Sequence, residues 1–300
     1  MTRKGIILYA VRALVGIVFI ISAVLKFIGI DAFELYIYGF DILNLDLSYL
    51  FARMLILGEF ALGLWLLSNQ NKSVCNKLTY AILAAFSIFL IIQIIRGEEG
   101  NCHCMGEDIN ISPLNSLLKN ILLFALTWVS SKAANYDNKY IKLTIFLLFI
   151  CTGVAMFMVS PPDTWAEEKL QLCHNDELEK FLQTDNIYNT QTDRKKKTIV
   201  CLLSTSCKIC KLSARKLQII LDKTKGVQVY EIFDGTEEEV NNFWKESQSN
   251  QQAHKTLPSD SFWLMTGSVP VFAIVEDGKV TEAFSYRTMN EKKIESAKNN

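Results

Sequence analysis

Cys207-Lys208-Ile209-Cys210 places two thiols three positions apart, which on a helix is close to one turn. A thiolate, not a thiol, attacks disulfides, and the unpaired amides and positive dipole end of a helix N-terminus favour that anion. On this spacing Cys207 is the attacking sulfur, Lys208 adds a neighbouring positive charge, and Cys210 resolves the mixed disulfide. A second group, Cys102-His103-Cys104-Met105, holds two thiols still closer in sequence. A C-x-C pair closes a disulfide only across a bent loop, since its α-carbons must come within about 7 Å, and strain makes such a bond easier to reduce. That suits an electron acceptor. The alternative there is a soft metal site, because Cys102, His103, Cys104 and Met105 are all ligand types for Cu(I). A zinc site at Cys207 and Cys210 would need a second ligand pair, and His174 and His254 stand alone. Cys75, Cys151, Cys173 and Cys201 have no near partner and read as buried, inert thiols without a role.

The elements that position these pairs lie in two different solvents. The chain has 300 residues, 50% of them hydrophobic, and is apolar up to about Pro161 and polar beyond it. With 31 basic and 31 acidic residues the formal net charge is zero, so nothing asks for a nucleic acid or an acidic substrate. Eight cysteines point instead to redox or metal chemistry.

A helix needs about 20 apolar residues to cross the hydrocarbon core, and five stretches approach that length: 6–28, 48–68, 78–95, 112–130 and 141–159. The first lacks a small-residue cleavage site and reads as a retained span. Segment 31–47 mixes aromatic residues with acids and suits an interfacial helix or hairpin that roofs the bundle. Lys and Arg fall in alternate connections: Arg3 and Lys4, Lys72 and Lys77, then Lys132, Lys139 and Lys142, whereas 29–47 has none and 96–111 only Arg96. The positive-inside rule therefore predicts a multi-pass protein of the bacterial inner membrane with a cytoplasmic N-terminus. The Cys102 loop and everything after Pro161 are expected on the periplasmic, extracytoplasmic side.

Ionisable side chains within spans are costly and become functional candidates. Arg53, Lys119 and Lys26 fall in the outer half of their spans, with Glu59 deeper and placed to pair with Arg53 or Lys119. Lys26 reads as a snorkelling helix-end lysine. Arg53, Glu59 and Lys119 are candidates for stabilising a thiolate or holding a quinone.

Beyond Pro161 the apolar run 199–203 reads as a buried strand, and the residues after Cys207 recur at helical spacing. A second strand is expected over 226–234, then a helix from Thr236, then strands 271–275 and 280–284 joined by the turn Glu276-Asp277-Gly278-Lys279. This strand-loop-helix with CxxC at the helix start resembles the thioredoxin superfamily, over about 165–300. The resemblance implies that Pro270, after Val269, is cis and lies against the dithiol. The stretch 235–267 is longer than a minimal thioredoxin needs and the last helix, about 290–298, is short; both bear on substrate choice.

LVGIVFIISAVLKFIGIDAFELYIYGF, GEFALGLWLL at 58–67, and GNCHCMGEDINISPLNSLLKNILLF at 100–124 together resemble the DoxX/MauE group of four-helix membrane proteins. Ala23 stands where that group commonly has glycine after serine. The resemblance implies disulfide formation in exported proteins, or quinol oxidation.

The expected fold is thus an α-helical membrane bundle followed by an α/β thioredoxin-like soluble domain. Residues 1–132 form a DoxX/MauE-like four-helix bundle, 133–162 a fifth connecting transmembrane helix and tether, and 163–300 the soluble domain. The expected activity is that of a membrane-tethered thiol-disulfide oxidoreductase, relaying electrons between exported cysteine-containing clients, Cys207/Cys210 and Cys102/Cys104, with quinone as final acceptor. Pro270 completes the catalytic set. No tightly bound cofactor is expected. Fusion on a tether over 160–164 keeps the dithiols at high effective concentration, and oxidation of clients is favoured because paired cysteines are lacking in the cytoplasmic half. The alternatives are a copper(I)-binding metalloprotein maturation factor and a non-catalytic membrane assembly protein.

Overall fold

The computed structural model describes residues 3–97, 102–107, 109–132, 138–165, 175–193 and 196–298. Asn101, Cys173 and His174 lie outside the described residues. The chain divides into two compact units, one of Met1–Leu43 and Leu47–Pro161 and one of Asn44–Asp46 and Pro162–Asn300.

The first unit is helical: α1 (Arg3–Ile28), α2 (Ile30–Tyr38), α3 (Leu45–Ser68), α4 (Lys72–Ile95), α5 (Pro113–Ser130) and α6 (Lys139–Val159). Among the described residues four helices, α1, α3, α4 and α6, are long and apolar enough to cross a membrane. The fifth expected span, α5, has the expected bounds but falls outside that set, because Asn115, Ser116, Lys119 and Asn120 make its first half polar. It turns buried Ser116, Asn120, Thr127 and Ser130 inward while Leu118, Ile121 and Leu122 stay exposed. Its start is defined by the Ser112 N-cap, whose side chain accepts from the Asn115 amide, and by Pro113 at the first helical position.

α1 and α3 meet backbone to backbone. A Cβ on Gly63 would lie 2.8 Å from the Gly16 carbonyl oxygen and 2.6 Å from Ile20 Cγ1, the close approach that small residues permit between membrane helices. Around this crossing Val15, Phe19, Leu62, Leu66, Leu83 and Leu123 form a core. α6 buries only Met156. Cys151, on that helix, is therefore exposed rather than buried as expected. Segment 31–47 supplies the short helix α2, which buries Phe33, Glu34 and Leu35.

The second unit opens with a 3-10 turn at Asp163–Trp165, then α7 (Asn175–Thr184) and α8 (Asn186–Gln191). There follow β1 (Thr198–Ser204), α9 (Lys208–Lys223), β2 (Gln228–Asp234), α10 (Glu237–Ser247), β3 (Ala253–Leu257), α11 (Ser259–Met265), β4 (Val271–Glu276), β5 (Lys279–Phe284) and α12 (Glu291–Ser296). The sheet order is β3-β2-β1-β4-β5. β2 runs parallel to β1 and β3, while β4 runs antiparallel to β1 and β5. β1 is buried along its whole length, as its continuous apolar run requires of a central strand. The β4–β5 hairpin turns through Asp277 (φ 50°) and Gly278 (φ 74°), the left-handed pair of a type I′ turn. Thr236 and Glu239 form a capping box that starts α10. The long stretch 235–267 is accounted for by α10, β3 and α11.

Buried Lys216 on α9 reaches the Asp163 carboxylate (3.2 Å), the Tyr286 carbonyl (2.8 Å) and the Tyr286 ring (4.6 Å). These contacts tie the turn after Pro162 to the body of the second unit.

Candidate functional site

The first site sits where β1 hands over to α9. Cys207 is the N-cap of α9, and its Sγ accepts from the Cys210 amide at 3.3 Å. That places the sulfur on the unpaired amides of the helix start. Cys207 is half-buried and Cys210 fully buried. Burial, followed by the hydrogen bond to Cys207, pushes the Cys210 thiol well above the ordinary thiol range. One sulfur is thus reachable and the other is held protonated behind it. The Val269–Pro270 bond is cis. Register Leu202↔Val271 between β1 and β4 puts Pro270 at the end of β1 from which the chain enters Cys207.

Sequence reasoning passed over Glu231. It is fully enclosed on β2, in register with Cys201, and accepts from Trp244 Nε1 at 2.8 Å. Burial raises its carboxyl to about 7 although the indole hydrogen bond opposes the rise. An acid in the middle of Val229-Tyr230-Glu231-Ile232-Phe233 was the available signal.

The second site is the loop between α4 and α5. His103 lies at φ 51° and Gly106 at φ 80°, so the loop is bent as the C-x-C spacing demands. A Cβ on Gly106 would meet the Leu25 carbonyl oxygen at 2.6 Å; the loop therefore packs directly on the last turns of α1. Cys102 is 2% exposed. Its Sγ lies 2.9 Å from Ser116 Oγ and accepts from the Cys104 amide at 3.4 Å. The hydrogen bond from the Cys104 thiol, aided by Ser116, the Cys104 amide and the charge of Lys119, outweighs burial and holds the Cys102 thiol well below the ordinary range. The same hydrogen bond, together with burial, drives Cys104 upward.

Beside this loop is a cavity of about 520 Å³. Ser22, Lys26, Glu59, Cys102, Cys104, Lys119 and Asn120 are among its polar lining, and Phe33, Tyr36, Phe40, Phe86 and Phe89 are among its apolar walls. Lys26 does not snorkel: it is buried, and its ammonium reaches both Glu59 carboxylate oxygens and Ser22 Oγ. Ser22 Oγ in turn reaches the Cys104 carbonyl at 3.0 Å. Lys119 stands within electrostatic range of both thiols, Lys26 and Glu59.

Two expectations are corrected. Glu59 pairs with Lys26, not with Arg53 or Lys119. Arg53 is outside the cavity lining: it pairs with Glu34 on α2 and donates to the carbonyls of Tyr49 (3.0 Å) and Ser160 (2.8 Å), and so acts as a clamp between α2, α3 and the end of α6. Helical spacing gives depth along a span but not the face on which a long side chain leaves it. Arg12, unremarked in the sequence, is also fully buried and donates to Asn76 Oδ1 at 2.5 Å.

For the copper reading, His103 packs its ring 4.6 Å from that of Tyr36. Among the described residues no group of three or more His, Cys, Asp and Glu is arranged to hold a metal ion.

Fold and sites together define a membrane protein in which a helical bundle with a C-x-C loop precedes a thioredoxin-like α/β unit with CxxC. Residues 4–132 match the family model of methylamine utilisation protein MauE, so the N-terminal region is a MauE-like membrane domain. Protein TlpB of Flavobacterium psychrophilum is 32% identical over 168 residues, 51% of this chain and 44% of that protein. The chain thus spans less than half the length of this curated relative.

Proposed function

We propose that this chain is a membrane thiol-disulfide oxidoreductase in which Cys207/Cys210 exchanges with exported, cysteine-containing clients and passes electrons to Cys102/Cys104. Cys207 attacks from the start of α9, and Cys210, protonated while buried, gives up its proton only as it resolves the mixed disulfide. Support for activity of the first pair comes from this division between a reachable and a covered sulfur. The N-terminus is assigned to the cytoplasm and both dithiols to the periplasmic side of the inner membrane, on the distribution of Lys and Arg.

The observation that carries the relay is the cavity of about 520 Å³ with both thiols of the second pair in its wall. Its size suits a small-molecule site, and its aromatic walls and polar end fit a quinone, with the ammonium groups of Lys119 and Lys26 to donate to the ring carbonyl oxygens and Glu59 holding Lys26 in place. A quinone, when bound, supplies a two-electron, two-proton acceptor. The chain's own part is to keep water from the thiols with the aromatic wall and to offer charge at Lys119 and the Lys26–Glu59 pair. Electrons then flow from client to membrane, so clients are oxidised.

The test is redox trapping in whole cells. With the wild type, Cys207/Cys210 is expected oxidised, and in the Cys102→Ala/Cys104→Ala variant it should accumulate reduced. An unchanged redox state in that variant would separate the two dithiols and end the relay reading.

A further inference from the structure

The two sulfurs of the C-x-C loop are not equivalent. Ser116, fully buried in the second turn of α5, brings its hydroxyl to 2.9 Å from Cys102 Sγ, and the Cys104 amide approaches the same atom at 3.4 Å. Cys102 is itself anchored through its amide to the Ile111 carbonyl at 3.1 Å. A sulfur that receives a hydroxyl and an amide hydrogen bond carries negative charge better than one that does not. Cys104 is less covered than Cys102. Its carbonyl oxygen accepts from Ser22 Oγ at 3.0 Å.

We infer that Ser116 is a positioning residue that makes Cys102 the thiolate of the pair, so that an incoming thiolate attacks the Cys104 sulfur and Cys102 departs as the leaving group. This rests on the thiol-disulfide reading above. In the oxidised loop the attacking thiolate forms a bond to Cys104 Sγ as the Cys102–Cys104 bond breaks. The electron pair of that bond leaves on Cys102, where the Ser116 hydroxyl and Cys104 amide receive it. The second thiolate of the donor dithiol then attacks the donor sulfur of the mixed disulfide, and Cys104 leaves with the electron pair and takes up a proton. The donor dithiol ends as a disulfide, and Cys102/Cys104 has gained two electrons. A less basic thiolate leaves faster, which selects Cys102 for that part. By microscopic reversibility the mixed disulfide sits on Cys104 whichever way electrons flow.

Two measurements on the full chain in detergent, carrying Cys207→Ser and Cys210→Ser, test this. The ultraviolet absorption of thiolate is followed against pH, and the component lost in Cys102→Ser is assigned to Cys102. Ser116→Ala is expected to move that component up by about one to two pH units, the size of a hydrogen bond to a charged group, and Ser116→Thr to restore it; an unmoved titration overturns the role of Ser116. In the second measurement the oxidised chain receives 2-mercaptoethanol, is quenched in acid, and the adduct is located by peptide mass spectrometry. An adduct on Cys104 is expected, and one on Cys102 or equally on both overturns the assignment. Should Ser116→Ala not fold, the adduct position in the chain with native Ser116 still decides. Failure of the relay would appear in the whole-cell trapping and leave both readouts unchanged.

Discussion

Lys26 Nζ lies 2.9 and 2.8 Å from the two carboxylate oxygens of Glu59, with the side chains 5% and 4% exposed. Ser22 connects this pair to the Cys104 carbonyl, so a buried ion pair shares one hydrogen-bonded group with the C-x-C loop. The pair is one wall of the cavity, and its chemistry is available there at no further desolvation.

Removing one partner should therefore cost more than removing both. Glu59→Gln leaves the Lys26 ammonium uncompensated, and a loss of about 3–5 kcal/mol is expected. Lys26→Met/Glu59→Leu should regain most of that stability while losing reduction of the acceptor. Thermal unfolding in detergent, run beside an acceptor-reduction assay, checks both; equal destabilisation by the single and double variants would contradict the pairing.

Glu231 makes stability depend on pH. Its folded value of about 7 is above the ordinary carboxyl value of 4.5, so the folded state binds a proton more tightly than the unfolded one. The associated stability is complete below pH 4.5 and is lost as pH rises through about 7, amounting to about 3 kcal/mol. Denaturation at pH 5 and pH 8 should show this difference in the wild type and a much smaller one in Glu231→Gln.

The two sulfurs of the CxxC pair should react unequally. In the reduced chain a brief exposure to iodoacetamide is expected to label Cys207 and spare Cys210, whose thiol is buried and held protonated. Cys210→Ser should accumulate mixed disulfides between Cys207 and clients, visible as reductant-sensitive bands, and Cys207→Ser should remove them. Labelling of Cys210 first would reverse the roles.

Gly106 is required twice, by its φ of 80° and by the Leu25 carbonyl 2.6 Å from where a Cβ would stand. Gly106→Ala should cost about 1–3 kcal/mol in backbone strain alone and lift the loop from α1. Cys102 should then become accessible to bulky maleimides that do not label it in the wild type.

Much of the second unit was legible because local patterns and the fold agree there. The run 199–203, the cysteine opening α9, the Thr236 start and the Asp277-Gly278 turn each carry their own conformational instruction. Strand β3 was not legible: Ala253–Leu257 is a partly buried edge strand with a polar face, and only pairing to β2 makes it a strand. α7 and α8 also went unread, since each is short and takes its buried face from the sheet it covers.

In the membrane unit α1, α3, α4 and α6 followed from apolar length alone, and the C-x-C spacing was enough to demand a bent loop. Which charges meet across helices was decided by tertiary structure. Arg53, Glu59, Lys26 and Lys119 all lie at depths where any pairing was conceivable, and helix rotation sends Arg53 to Glu34 while bringing Lys26 to Glu59. Ser116 belongs to the same class: a serine four residues after an N-cap has no chemical signature until the loop folds back and sets Cys102 against it. Spacing along a chain determines which element a residue occupies, whereas a shared cavity depends on the rotation and crossing of several helices at once, here governed by contacts as distant in sequence as Gly16 and Gly63.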